Sequence, residues 1–430
     1  MPVSFAGGAD DMPPFDHDAF NDVADMIYNA GGFDLDQIKD PKARKLIRET
    51  VNAINRGVDA HLPTDVPETL RCALEENGFI FSGFKTFHAM RELGLSMLTS
   101  DGNIKSYDEF KKDVQQIDAH YNTNYLYAEW KHAIGACQMA AKWHEQAKDG
   151  DRYDLQYRTA QDPNVREDHR LLHGTTLPLS DPFWDKYYPP NGWGCRCTVV
   201  QVRKGKFPLS DPKMAMLRGD NATDTSKLKI FRYNPGKTMK LYPPQHPYYK
   251  VPAQAKAVCT EIGQQYAQQR KQYQQLKDDP KYNDVLFDNI GGGLKASHVG
   301  HNFDKKGGQY EKHVQNAGYK AGYAVVLENE YSTVIGQRFT EGTWDGKEFE
   351  VAGRETATAN NILRGLKHCA AKKKTKIAVL DFPNANFDKT TFDTALARYN
   401  GLEKLNDGQF VRFDRIICVQ NEEIVLDIEH

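Results

Sequence analysis

The sequence predicts a multidomain α+β protein, and three observations lead to that prediction. The chain has 430 residues, well beyond the length at which a single hydrophobic core stops growing. Helical spacing of apolar residues dominates the first third, whereas the last third alternates short strand patterns with helical ones. Between them lies a stretch with many turn-forming residues. We therefore expect a helical N-terminal part with a small loop-rich α+β module, and a C-terminal α+β domain with a mainly antiparallel sheet.

The composition indicates a folded protein without a strong electrostatic bias. Hydrophobic residues make up 40% of the chain and charged residues 27%, so hydrophobic cores can form. A formal net charge of -2 provides no overall field that would attract nucleic acid, and such a site would need local basic groups. The odd number of cysteines, seven, favours a reducing compartment. Neither an export signal nor a long apolar run is visible, so we expect a cytoplasmic or virion-associated protein with no membrane partner.

Changes in residue pattern predict four regions along the chain. Helical periodicity is clear in the first 150 residues, and residues 151–203 change to short polar and aromatic segments that end in a strand. Many prolines and tyrosines then predict an extended connector, followed by a solvated spacer helix at 253–279. The predicted regions are 1–82, helical; 83–203, helical and then loop-rich; 204–280, connector and spacer helix; and 281–430, the C-terminal domain.

The C-terminal domain alternates strand and helix patterns. The predicted strands are 323–328, 333–341, 347–353, 376–383, 411–420 and 422–428, and the predicted helices are 306–317, 357–373 and 388–399. Asp345 and Gly346, between two strand patterns, predict a tight hairpin turn. Ile362, Leu366 and Ala370 share one face of the middle helix, which indicates packing on the sheet.

The first candidate site combines two histidines with two cysteines. His169 and His173 are four residues apart and would share a face of a helix, and Cys195 with Cys197 could complete a tetrahedral zinc site. Alternatively, a strand would point both cysteines to one face, where buried free cysteine beside aromatic residues is ordinary core. The second interpretation is the better supported, so we expect no cofactor. Because no base is paired with a nucleophile here, we expect a structural or docking module.

The stretch from 156 to 203 resembles the Mu F-like, phage head-morphogenesis family of minor capsid proteins. The resemblance rests on an R-T-A segment, a D-x-x-V-R-x-x-H turn, a D-x-F-W motif and a P-P-N-G-W-x-C-R-C motif. The matching residues are Arg158, Thr159, Asp162, Arg166, His169, His173, Asp181, Phe183, Trp184, Pro189, Pro190, Asn191, Gly192, Trp193, Cys195, Arg196 and Cys197. The resemblance implies that residues 83–203 form a domain of this family, with phage portal or capsid proteins as partners.

The second candidate site begins in a glycine-rich stretch at the start of the last domain. Lys295, His298, His301 and Lys305 lie close together there, where we expect backbone amides and imidazoles to be accessible to phosphate. Cleavage of RNA without a metal needs a base, an acid and cations that stabilise the phosphorane. Histidine suits the first two roles, because its unperturbed pKa of about 6.5 allows both protonation states near neutrality.

Polar residues on the next strand and helix extend this site. Alternation along the strand at 347–353 predicts that Glu350 faces solvent or a cleft. Thr356 and Thr358 are candidate N-caps of the following helix, and Arg354, Asn360 and Asn361 lie nearby in sequence. The alternative for each is a purely structural role as a cap, a surface ion pair or a turn residue.

Taken together, these motifs resemble the barnase/EndoU/colicin/RelE-like nuclease superfamily over residues 283–430. The motifs are G-G-L-K-A-x-H-x-x-H, the W-D-G hairpin, F-E-V and E-T-x-T-x-N-N-I. The resemblance implies a metal-independent endoribonuclease that leaves 2′,3′-cyclic phosphate ends, with tRNA among the candidate substrates. It implies catalytic roles for His298, His301, Arg354 and Thr356, and substrate-binding roles for Lys295, Glu350, Asn360 and Asn361. One departure is Ala352, which stands where such domains often have lysine after F-E-V.

The sequence therefore predicts a phage-derived minor head protein that carries a C-terminal endoribonuclease, with toxin activity as one use of that domain. An RNA substrate and an immunity protein would then be partners, besides the phage structural proteins. The alternative is a purely structural minor capsid protein whose C-terminal domain binds but does not cleave.

Overall fold

The computed structural model describes the residues 12–305, 307–329, 340–373, 375–405 and 410–429. The chain divides into two compact units. The first comprises the residues up to Leu35 together with Leu46–Gln264, and the second comprises Asp36–Lys45 together with Gln265–His430. The predicted multidomain α+β class is confirmed. In the described part of the chain, no helix combines the length and the apolar character that crossing a membrane requires.

Long helices form the N-terminal part, as the spacing of apolar residues predicts. They are α1 (His17–Asn29), α2 (Pro41–His61), α3 (Glu68–Ser96), α4 (Tyr107–Asp118) and α5 (Leu126–Asp149), with 3-10 turns at Leu35–Lys39 and Gly150–Arg152 and a π-helical segment at Ala119–Tyr125. Helix α4 begins with a capping box, in which Ser106 and Glu109 each accept a backbone N–H from the other. Its buried face consists of Phe110, Val114 and Ile117, spaced as an amphipathic helix requires.

A small sheet module follows α5, as predicted. Its elements are β1 (Tyr153–Arg158), α6 (Glu167–Arg170), β2 (Thr176–Pro178), α7 (Phe183–Tyr187) and β3 (Thr198–Arg203). The strands pair antiparallel in the order β2-β1-β3. Met139 and Trp143 of α5 share one core with Tyr157 of β1 and Trp184 of α7. We call α5 and these elements, residues 126–203, the His/Cys module.

The predicted extended connector is instead a series of short helices. They are α8 (Pro212–Ala222), α9 (Ser226–Lys229), α10 (Pro235–Thr238) and a 3-10 turn at Pro247–Tyr249. The helix predicted at 253–279 is present as α11 (Ala253–Leu276). Aromatic residues of this stretch are buried, including Phe231 and Tyr242, whose ring stacks on Phe81 with centroids 3.5 Å apart. Helix α11 is not a fully solvated spacer, since Cys259 and Tyr266 are buried. The prolines and tyrosines therefore belong to a packed structure.

The second unit contains a mixed eight-stranded sheet with helices on both faces. Its elements are β4 (Tyr282–Phe287), β5 (Leu294–His298), α12 (Gly308–Lys320), β6 (Ala324–Leu327), β7 (Gly342–Trp344), β8 (Lys347–Gly353), α13 (Ala359–Lys373), β9 (Ile377–Asp381), α14 (Lys389–Leu405), β10 (Arg415–Gln420) and β11 (Glu423–Glu429). The strands lie side by side in chain order. Antiparallel pairings outnumber parallel ones by four to three, which confirms the mainly antiparallel sheet.

Alternation along the central strands buries both faces of this sheet. On β9, Ile377 and Val379 join a core with α12, whereas Ala378 and Leu380 join a core with α13 and α14. The hairpin at Asp345 and Gly346 is confirmed, with φ of 49° and 78°, as a two-residue turn of this kind requires. Strands β4 and β5 were not predicted. The predicted strand at 333–341 falls mainly on residues outside the described part.

Candidate functional site

A His/Cys cluster lies in the His/Cys module, where a one-turn helix meets a loop. His169 is on α6, and Cys195 and Cys197 lie in the loop directly before β3. This loop turns at Gly194, whose φ of +66° favours glycine, and the backbone N–H of Cys195 donates to Gly192 at 3.1 Å. The turn brings both cysteines back towards α6.

The three side chains of the cluster converge on one point. The Sγ atoms of Cys195 and Cys197 each lie 3.7 Å from Nδ1 of His169. All three residues are buried, with 1% exposure for His169, 5% for Cys195 and 3% for Cys197. A buried imidazole nitrogen and two sulfurs in mutual contact are the donor types that soft divalent metals prefer.

The surroundings of the cluster shift the pKa values of its two thiols in opposite directions. A hydrogen bond from the Cys197 thiol lowers the pKa of Cys195 well below its usual value, aided by His169 and by the backbone N–H of Asn191. The same hydrogen bond, together with burial, raises the pKa of Cys197. The hydroxyl of Tyr157 also lies against both sulfurs and donates to Asn191 Oδ1 at 2.9 Å.

Three features predicted for this region are wrong. Helix α6 ends at Arg170, so His173 does not share a helix face with His169, and it instead bonds to Thr159 and Gln161. The cysteines precede β3 and do not lie within a strand. The third prediction was that no base is paired with a nucleophile here, whereas the Cys195 thiol contacts the imidazole of His169. Sequence spacing did not reveal these contacts, because they join His169 on α6 to cysteines that lie 26 and 28 residues further along the chain.

The second candidate site lies along one edge of the large sheet. Strands β5, β6, β8, β9 and β10 all run in the same direction, so their carboxyl ends meet at this edge. His298 ends β5, and Arg354 and Thr356 follow the end of β8. Open sheets with helices on both faces commonly bind ligands at such an edge. We call it the carboxyl edge of the second unit.

His301 lies in a buried charged cluster near this edge. Its Nδ1 is 3.0 Å from the carbonyl oxygen of Glu328, and its Nε2 is 2.9 Å from Glu311 Oε2. Lys305 Nζ bridges the two carboxylates at 2.8 Å from Glu311 and 2.9 Å from Glu341. Burial raises the pKa of Glu311. His301, Glu311 and Glu341 form a second set that could hold a metal, with Lys305 as the cation in their midst.

Three other residues predicted for this site lie outside the buried charged cluster around His301. His298 is half-buried, its Nδ1 accepts from the backbone N–H of Gly300 at 3.0 Å, and its ring lies edge-on to Tyr282. Lys295 on β5 donates to Asn316 at 2.9 Å rather than lying in an open glycine-rich loop. Glu350 faces α13 and not solvent or a cleft, with 1% exposure and Oε1 3.4 Å from His368.

The residues predicted at the start of α13 do gather there. Asn361 Nδ2 donates to the hydroxyl of Thr356 at 2.7 Å, and Arg398 donates to Asn360 at 3.3 Å. Thr358, rather than Thr356, accepts the backbone N–H of Asn361, so Thr358 caps the helix. The side chain of Thr356 is exposed to solvent at the carboxyl edge.

Two acidic residues of the carboxyl edge were missed from the sequence. Glu311 occupies the buried face of α12 together with Val314 and Gly318. A charged residue at helical spacing from apolar and small residues was the sequence signal that could have revealed it, because a buried charge needs a partner. Asp381, at the end of β9, lies 3.1 Å from His313 Nδ1 and is fully buried. Burial raises its pKa from 3.8 to about 6, against the lowering effect of His313.

The raised pKa of Asp381 predicts a pH-dependent stability of the second unit. Since the folded pKa exceeds the unfolded one, folding favours the protonated carboxyl, and this contribution is lost as the pH rises from 3.8 to about 6. We expect the free energy of unfolding to fall by at most about 3 kcal/mol over this range. In Asp381→Asn, which has no carboxyl group to titrate at this position, this pH-dependent fall should be absent. Urea denaturation at a series of pH values measures it. The control is Asp393→Asn, an exposed partner of Lys389, and parallel curves for wild type and Asp381→Asn would contradict the assignment.

The fold and these sites define a modular α+β protein, with a helical unit that carries a His/Cys module and a sheet unit with a polar carboxyl edge. Residues 101–200 match the family described as Phage Mu protein F like protein. The matched residues run from before α4 into β3 and include the His/Cys cluster. This segment is similar to that family, and the resemblance found in the sequence is confirmed to this extent.

Two curated relatives are similar to part of the chain. The Mu-like prophage FluMu F protein of Haemophilus influenzae is 38% identical over 85 residues, which cover 18% of this chain and 20% of the relative. The protein named "Putative capsid assembly protein F" of Escherichia phage Mu is 38% identical over 89 residues, which cover 18% of this chain and 19% of that protein. The similarity thus spans about a fifth of either relative. No solved structure matches the chain significantly.

Proposed function

We propose that the chain is a phage-derived minor head protein that acts in head morphogenesis and assembles with portal or capsid proteins. The observation that carries this proposal is the match of residues 101–200 to the Mu F-like family, which includes a protein named for capsid assembly. The match includes the helices and strands that build the core of the His/Cys module, besides the short P-P-N-G-W-x-C-R-C motif. A match that extends over the core-building elements supports a common structural role.

The surface of the first unit supports assembly with another protein. Leu171 directly follows α6, and Met214 and Leu217 lie on α8, which contacts α6. These three apolar side chains are 55%, 49% and 50% exposed. Exposed apolar groups near one another mark surfaces that bind other proteins. We call these three residues the apolar surface of the first unit.

The test measures whether the protein is incorporated into phage heads and whether the phage titre depends on it. In the phage or lysogen that encodes the protein, the gene is deleted and a tagged copy is supplied, and particles are separated on a density gradient. We expect the chain to fractionate with heads and the titre to fall without it. A triple variant, Leu171→Asp, Met214→Asp and Leu217→Asp, is expected to stay folded but to be depleted from heads by about tenfold or more, because an aspartate at each position would oppose apolar docking.

A matched control separates docking from general effects of added charge. Leu286 is 49% exposed and lies in the second unit, so Leu286→Asp should leave incorporation into heads unchanged. A chain that never fractionates with heads, and whose deletion leaves the titre intact, would contradict the proposed head function.

The second candidate function is the endoribonuclease, supported by the carboxyl edge. His298, Arg354 and Thr356 lie along that edge, and His301 is held near it by Glu311 and Lys305. A half-buried imidazole, and a buried imidazole whose carboxylate partner Glu311 also binds Lys305, are groups of the kind that metal-independent cleavage of RNA needs. An RNA substrate, with tRNA as one candidate, and an immunity protein belong to this proposal.

The nuclease test uses the full chain, because α11 contributes to both units. Purified protein is incubated with total RNA in the presence of EDTA, and new ends are mapped for 2′,3′-cyclic phosphate. We expect His298→Gln to reduce the cleavage rate by about 100-fold or more, the size of a general acid or base contribution. His301→Ala is expected to act similarly, whereas His173→Ala, in the first unit, should not.

Either of two results would count against the nuclease. Folded wild-type protein that leaves RNA intact would favour a C-terminal domain that binds but does not cleave. Full cleavage by both the His298→Gln and His301→Ala variants would exclude these histidines as the acid and base.

A further inference from the structure

We propose that His169, Cys195 and Cys197 bind one zinc ion that clamps α6 to the loop before β3, with a water molecule in the fourth coordination position. This site goes beyond the head function proposed above and does not depend on the nuclease. It is argued from the distances, the donor types and the local fold of the His/Cys cluster.

The distances fit tetrahedral zinc. Bonds of about 2.0–2.1 Å to nitrogen and about 2.3 Å to sulfur, at tetrahedral angles, place nitrogen and sulfur about 3.6 Å apart. Both distances from His169 Nδ1 to the sulfurs are 3.7 Å. Two of the three edges of the donor triangle therefore already match a zinc tetrahedron, and the two sulfurs lie within 4.8 Å of each other.

The donor set selects zinc over the hard cations. Two sulfurs and an imidazole nitrogen suit zinc, whereas magnesium and calcium prefer oxygen ligands. Two thiolates with a neutral imidazole would balance the charge of Zn²⁺.

A zinc ion at this position would stabilise the local fold. Helix α6 has only four residues, which is too short to be stable through its own hydrogen bonds. The metal would join it to a loop 26 residues further along the chain. Loop-rich modules with small cores commonly need such a crosslink. A bound zinc would therefore fix α6 and the cysteine loop in one arrangement.

The fourth position is not taken by the nearest oxygen. The hydroxyl of Tyr157 lies beside both sulfurs, but it donates to Asn191 and is held in a neighbouring position. Hydrogen-bonded groups next to the ligands typically orient them. Three protein ligands then leave one coordination position for a water molecule.

The first experiment measures metal content. The full chain is produced in medium with Zn²⁺, purified under reducing conditions without chelator, and analysed by inductively coupled plasma mass spectrometry. We expect about one zinc per chain in the wild type, as a single tetrahedral site requires. His169→Ala, Cys195→Ser and Cys197→Ser should each reduce zinc to background. His173→Ala and Cys72→Ser, which lie outside the cluster, should keep it.

A second measurement keeps the proposal testable if the ligand variants fail to fold. Wild-type protein is titrated with a mercurial thiol reagent while a chromogenic indicator reports free zinc. Release of zinc in step with modification of two thiols supports the site. Wild-type protein without zinc, retention of zinc by all three ligand variants, or release that does not follow thiol modification would overturn it.

Discussion

Replacing Lys85 by alanine is expected to destabilise the first unit by about 3–5 kcal/mol. Lys85 Nζ lies 2.5 Å from Glu129 Oε2, and the two side chains are only 2% and 4% exposed. Burial lowers the pKa of Lys85 and raises that of Glu129, and each is held charged by the other. Removal of the lysine leaves a carboxylate in an apolar interior between α3 and α5.

A double variant tests whether the loss comes from an unpaired charge. Lys85→Met with Glu129→Leu removes both charges and keeps apolar volume, so its free energy of unfolding should lie near that of the wild type. Lys148→Ala breaks an exposed ion pair with Glu145 and should cost at most about 0.5 kcal/mol. Urea denaturation followed by circular dichroism measures all four proteins. A loss of under about 1 kcal/mol for Lys85→Ala would contradict the buried-charge account.

The second large effect is expected at Trp344, where Trp344→Ala should cost the second unit about 3–5 kcal/mol. Its side chain is fully buried in the core between α12 and the sheet. The indole contacts Tyr323, with ring centroids 5.2 Å apart. Gly318 of α12 passes so close that a Cβ there would lie 2.9 Å from Trp344 Cη2. The cavity left by alanine cannot be filled by collapse of these rigid neighbours.

Hydrogen exchange with mass spectrometry measures this loss in the second unit alone. Peptides covering β6 to β8 should exchange faster in Trp344→Ala, whereas peptides from α3 and α5 should not change. Trp344→Phe, which keeps an aromatic ring, should lose clearly less. Equal protection in the wild type and in Trp344→Ala would show that the residue does not support the core.

Local sequence rules predicted much of the second unit. Asp345 and Gly346 specify their turn because both positions need positive φ, which few residues adopt readily. The helix that contains Ile362 and Leu366 follows from one apolar face, and both side chains are buried as predicted. In each case the determining interactions lie within a few residues of one another.

Prediction failed where partners distant in sequence decide the structure. Strand β5 has a glycine-rich approach and weak strand character, and it is a strand because β4 and β6 pair with it on either side. Glu350 alternates as predicted, but its face is buried because α13 covers it. Alternation assigns a residue to a face of the sheet, and only packing determines whether that face meets water.

The two candidate sites follow the same division. The sequence by itself determined that His169, Cys195 and Cys197 belong to a Mu F-like segment, and that His298 and His301 lie near the start of the C-terminal domain. Only the tertiary structure decided that His169 and not His173 meets both cysteines, and that Glu311, Glu341 and Lys305 enclose His301. The physical reason is that a site forms where loops and strand ends from distant parts of the chain converge, and that convergence depends on packing of the whole unit.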